Sequence, residues 1–96
     1  MTLSIHDSLT VAADVMFQHL NDEAVLLDLK SGMYFGLNDV GARAWQLIVE
    51  HGRLARVLDV LLQEYDGERE AVERDLMELA GQLVARQLAA VKPNAG

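Results

Sequence analysis

Hydrophobic and polar positions alternate with a period of two up to about residue 37, and with a period near 3.6 beyond it. The residues from Val15 to Leu20 and from Glu23 to Leu29 read as two strands joined at Asn21-Asp22, because Asn and Asp tolerate the positive φ of a short hairpin. A second hairpin follows. Val25, Leu27 and Leu29 alternate, Lys30-Ser31-Gly32 is a turn signal, and Met33, Phe35 and Leu37 alternate again. A three-residue loop pairs Leu29 with Met33, Leu27 with Phe35 and Val25 with Leu37. These six apolar side chains then share one face, with Ala24, Leu26, Asp28, Tyr34 and Gly36 on the other.

After Leu37 the helical period takes over. Asn38 or Asp39 is a suitable N-cap for a helix reaching about His51 and stopped by Gly52, with Val40, Ala44, Leu47 and Ile48 inward and Trp45 beside them. A second helix is predicted from about Leu54 to Tyr65 on Leu54, Val57, Leu58, Leu61 and Tyr65. A third runs from about Glu68 to Ala90. Its Val72, Leu76, Leu79 and Leu83 form a core stripe, while Met77, Ala80, Gly81, Val84 and Leu88 form an adjacent apolar arc. The predicted architecture is α+β and winged-helix-like: a three-stranded antiparallel sheet followed by three α-helices, in one domain over residues 1–91. Residues 92–96 are expected to be a disordered tail.

Composition narrows the function. The 96 residues carry a formal net charge of -7, from 15 acids against 8 basic residues. A field of that sign repels phosphate, so nucleic acid is not expected as a partner and a winged-helix DNA-binding protein is the weaker rival. Cysteine is absent, which removes disulfides, thiolate metal sites and a cysteine nucleophile together. His6, His19 and His51 are scattered, no glycine pair makes a phosphate loop, and no serine has a base and acid in a recognisable motif. Neither cofactor, metal nor catalysis is expected. With no membrane-length apolar run and no secretory pattern at the first residues, the expectation is a cytoplasmic protein without a membrane partner.

The stretch from Glu23 to Trp45 resembles the PqqD-like family, the RiPP recognition elements that bind the leader part of ribosomally made precursor peptides. The residues carrying the resemblance are Leu26-Leu27-Asp28, Gly32, Tyr34-Phe35, Leu37-Asn38, Gly41 and Trp45, and the following helices appear in the family's order. It implies a non-catalytic domain whose third strand and third helix form a groove for the leader peptide, serving a separate modifying enzyme. The wording Tyr-Phe-Gly-Leu-Asn and Gly-Ala-Arg-Ala-Trp is most similar to stand-alone members from lasso peptide clusters, where the partner is a leader peptidase. A peptide chaperone for a radical enzyme, as in pyrroloquinoline quinone biosynthesis, is the alternative.

Edge chemistry agrees with what the resemblance implies. Met33, Tyr34, Phe35, Gly36 and Leu37 contain neither proline nor charge, so a third strand at the sheet edge would present unblunted backbone groups to an extended peptide. Met77, Ala80, Gly81 and Val84 are the expected helix side of the groove, the small pair leaving room for a ligand side chain, and Asp28 is a candidate contact for a basic ligand residue. Self-pairing through the same edge is a further rival; strand capture predicts a monomer or weak dimer.

Overall fold

The computed structural model describes residues 3–21 and 23–92. Five strands and three helices follow in the order β1 (Ser8–Val11), β2 (Val15–Leu20), β3 (Glu23–Asp28), β4 (Tyr34–Leu37), α1 (Asp39–His51), α2 (Leu54–Glu64), α3 (Arg69–Ala85) and β5 (Ala89–Lys92). The expected three-stranded antiparallel sheet is present in the order β2-β3-β4. A two-stranded ribbon, β1 with β5, stands apart from it and was not expected.

The first hairpin turns at Asn21, which takes φ 59°. The second differs from its expected register by one residue: Leu26 faces Phe35, Leu27 faces Tyr34 and Ala24 faces Leu37. Because side chains alternate, this slip exchanges the faces of β3. Leu26 is fully buried, Leu29 and Met33 are exposed, and Phe35 and Leu37 point to the core side as expected. The Asp28 side chain supplies the reason. Its carboxylate accepts from the Lys30 N–H at 3.0 Å and the Ser31 hydroxyl at 2.9 Å, and its carbonyl accepts from the Gly32 N–H at 2.7 Å. The loop is thereby a closed four-residue turn over residues 29–32, completed by Gly32 at φ 76°.

Helix α1 starts where Asn38 accepts the Gly41 N–H at 2.7 Å, and ends at Gly52, whose N–H donates to the Ile48 carbonyl. The side chains of Leu47, Ile48, Leu54, Val57, Leu58, Leu61 and Leu83 are fully buried around Leu26, and Trp45 is buried beside them. Val40, expected inward, is exposed.

Helix α3 stops at Ala85 rather than near Ala90. Leu88 N–H donates to the Leu83 carbonyl and Gln87 N–H to the Val84 carbonyl, with Gln87 at φ 61°, which is the bonding pattern of a Schellman C-cap. Leu83 and Leu88, the apolar pair that accompanies such a cap, are both buried. The chain then returns as β5, with Val11 opposite Ala89, Leu9 opposite Val91 and Ser8 opposite Lys92. Lys92 is therefore part of a strand rather than of a tail. The rest of the expected tail, residues 93–96, lies outside the described residues.

Candidate peptide-binding groove

Strand β4 pairs with β3 on one side and has no strand on the other, among the described residues. The Asp28 N–H donates to the Met33 carbonyl at 3.0 Å, which fixes the phase of the antiparallel ladder. Two residues on, Leu26 with Phe35 and then Ala24 with Leu37 occupy the equivalent bonded positions, so the backbone groups of Tyr34 and Gly36 point away from the sheet. These are the unpaired donors and acceptors of the edge. A Cβ at Gly36 would meet nothing within 4 Å, so the backbone can be approached closely there.

A groove of about 540 Å³ separates β4 from α3. Phe35, Gly36 and Leu37 form its strand wall, followed by Asn38, Val40 and Gly41 at the start of α1. Ala44, Leu61 and Leu76 form an apolar floor, and the Tyr65-Asp66 pair closes the end nearest α2. The helix wall is Val72, Asp75, Glu78, Leu79 and Gln82. A smaller hollow of about 190 Å³ lies near the other end of β4, bordered by Asp28, Ser31, Met33, Tyr34, Phe35, Arg86 and Leu88. There the Arg86 guanidinium stacks over the Phe35 ring, 5.0 Å from its centroid.

The expected site residues divide accordingly. Phe35, Gly36 and Leu37 line the main groove, and Asp28, Met33 and Tyr34 border the smaller hollow. The Asp28 carboxylate is engaged in its own turn. The four expected helix residues are placed elsewhere: Ala80 is fully buried, Met77 packs against the core, and Gly81 and Val84 line a different apolar hollow beside Val11, Ala89 and Val91 of the ribbon. Val72 and Leu79 fall on the core stripe in the sequence pattern, and Asp75, Glu78 and Gln82 are not among the expected site residues. Their signal was present in the helical wheel, as the second flank of the same core stripe.

One ion pair braces the α1–α2 side. Arg43 donates to both Glu64 oxygens, each at 2.8 Å. Through this bond the Arg43 pKa is raised and the Glu64 carboxyl is held below its ordinary value. No cluster of three potential metal ligands occurs among the described residues, and no helix among them is long and apolar enough to cross a membrane.

An α+β domain with an open strand edge, an adjoining groove and a long flanking helix is the build of a PqqD-like RiPP recognition element, a class of partner proteins rather than enzymes. The family model for coenzyme PQQ synthesis protein D (PqqD) matches residues 23–89, and the chain belongs to this family. It is similar in structure to TbiB1 in complex with the TbiA(beta) leader peptide, with 39% identity, a TM-score of 0.73, and coverage of 82% of this chain and 92% of that one. It is also similar to a lasso peptide synthetase B1 complexed with the leader peptide, with 30% identity, a TM-score of 0.75, and coverage of 85% and 96%. No curated protein matches.

Proposed function

We propose that this protein captures the leader region of a ribosomally synthesised precursor peptide as an added strand on β4 and delivers it to a separate leader peptidase of a lasso peptide pathway. The observation that carries the reading is the edge itself: Tyr34 and Gly36 turn their backbone groups outward, directly beside a groove with an apolar floor. Backbone pairing supplies affinity with little dependence on sequence, and the floor of Ala44, Leu61 and Leu76 accepts an apolar anchor. Both solved relatives hold leader peptides, and one of them is a lasso peptide synthetase B1, which favours a lasso pathway over the pyrroloquinoline quinone alternative that the family description suggests. The net charge of -7 disfavours the DNA-binding rival. In this reading the protein works in the cytoplasm as a monomer or weak dimer, and peptide shifts its sedimentation where self-pairing would shift it with concentration alone.

Gly36→Pro tests the reading. It removes an outward donor, whereas Phe35→Pro would remove a bond to β3 and a side chain packed on the core. Ala80 is unsuitable as a probe because a bulky residue there would disrupt the core. We expect Gly36→Pro to retain the native circular dichroism and to bind the pathway's precursor leader at least about tenfold more weakly, a difference of 1.4 kcal/mol. Unchanged affinity in the folded variant would place binding away from β4.

A further inference from the structure

We infer that the groove selects its peptide by charge order, and that the bound strand carries a basic side chain, an apolar anchor two residues later and an acidic side chain two residues after that. The inference rests on strand capture at β4. Asp66, Asp75 and Glu78 line the main groove, and no basic side chain among the described residues lines it. Asp75 does have an ionic neighbour, Arg74 at 3.9 Å, but both side chains are mostly exposed, at 69% and 74%, so that pair leaves most of the carboxylate's field available. At the Met33–Tyr34 end the only basic residue among the described residues bordering the hollow is Arg86, which is exposed. It is held by the face of Phe35 rather than by a carboxylate, since no ion pair of Arg86 occurs among the described residues. The one acid at that end, Asp28, spends its oxygens on Lys30 and Ser31. The guanidinium donors are thus available to an incoming carboxylate.

The helix fixes the spacing. Glu78 and Asp75 precede Arg86 by eight and eleven positions, roughly 12 to 17 Å along α3, which an extended chain spans in about four or five residues. Four is the choice that keeps both charged side chains on the same side of the added strand, with the residue midway between them directed at the Ala44, Leu61 and Leu76 floor. Strand β4 runs from the Arg86 end toward the acidic end. Antiparallel pairing, the more stable mode, therefore places the basic residue on the N-terminal side of the peptide. The ligand class is an extended segment of the form basic, any, apolar, any, acidic.

The test is selection of random displayed peptides on the immobilised full chain, run in parallel on Arg86→Glu, on Glu78→Lys combined with Asp75→Lys, and on Gly36→Pro. The native chain should enrich basic before acidic residues at a separation of four. Arg86→Glu should replace the acidic preference with a basic one, and the double lysine variant should replace the basic preference with an acidic one. Enriched peptides without charge order, with the reverse order, or with the same order in the swapped variants would overturn the inference while leaving strand capture intact. If Gly36→Pro enriches the same peptides as the native chain, strand capture itself is what fails, and a library that yields no binders removes both.

Discussion

On one flank of α3, Met77 and Val84 pack against the core on the side of the β1–β5 ribbon; on the other, Val72, Asp75, Glu78, Leu79 and Gln82 border an open groove beyond which β4 has no further strand among the described residues. The helix itself is amphipathic in the ordinary way, with Leu76, Ala80 and Leu83 buried between the two flanks. What distinguishes the flanks is the neighbouring backbone. On the ribbon side lie β1 and β5, two short strands paired with each other, and on the groove side lies β4, whose outward groups at Tyr34 and Gly36 meet no strand among the described residues. An apolar hollow remains beside Gly81 and Val84, bordered by Val11, Ala89 and Val91 of the ribbon. The proposed strand capture draws on the groove flank, where the outward groups of Tyr34 and Gly36 adjoin the apolar floor of Ala44, Leu61 and Leu76.

The shared core stripe should respond most strongly to mutation. Leu83 is fully buried and holds both flanks together, so Leu83→Ala is expected to cost about 2–5 kcal/mol in chemical denaturation, from lost burial and the cavity left behind. A smaller effect should separate the flanks. Leu79→Glu, at the groove wall and partly packed on the core, should weaken binding of the precursor leader by about tenfold or more, 1.4 kcal/mol, with a smaller loss of thermal stability than Leu83→Ala. Gly81→Arg on the ribbon flank is the matched control, since Gly81 is exposed and a Cβ there meets nothing within 4 Å. It should leave leader affinity unchanged. The opposite pattern would exchange the roles of the two flanks.

The same comparison shows where sequence was informative and where it was not. The β2–β3 and β3–β4 hairpins and all three helices were legible, with the first cap narrowed to Asn38 or Asp39, because each is written locally in alternation, turn residues or a helical stripe. The register of β4 on β3 was missed by one residue because it depends on the Asp28 carboxylate closing a four-residue turn, which alternation alone does not reveal. The ribbon was missed because β1 and β5 are four-residue strands joined only through the fold, and because Ala-Ala-Val after α3 reads as helix. That omission had a consequence for the site. Without the ribbon, the apolar arc of Met77, Ala80, Gly81 and Val84 has nothing to cover it and is expected to face the peptide; in the structure Ala80 is buried, Gly81 and Val84 adjoin the ribbon, and Asp75, Glu78 and Gln82 are on the flank that faces β4.

The end of α3, which makes room for the ribbon, can be tested through the sign of a small effect. Gln87 sits at φ 61°, where a side chain is disfavoured and glycine is not. Gln87→Gly should therefore raise stability by up to about 1 kcal/mol if α3 ends in the observed cap, and lower it by about the same amount if the helix continued through position 87. Urea denaturation of the two proteins decides between them, and a loss of stability would remove the ribbon from the flank it covers.

The smallest effect concerns the brace between α1 and α2. Glu64 accepts from Arg43 twice at 2.8 Å, and both side chains remain about a third exposed, at 35% each, so solvent and salt screen the pair. Because the bond holds the folded-state pKa of Glu64 below its unfolded value, the folded state favours the carboxylate. The stabilisation is thus complete above the unfolded carboxylate pKa and disappears as pH falls through the lower folded value; Arg43, with its pKa raised, stays charged throughout. Glu64→Gln should lower the melting temperature slightly at neutral pH, and the gap to the native protein should close on acidification and narrow with added salt. Leader affinity should change less than in Leu79→Glu, because Glu64 does not line the groove. A gap that persists undiminished at acid pH would mean that Glu64 acts through packing rather than through its charge.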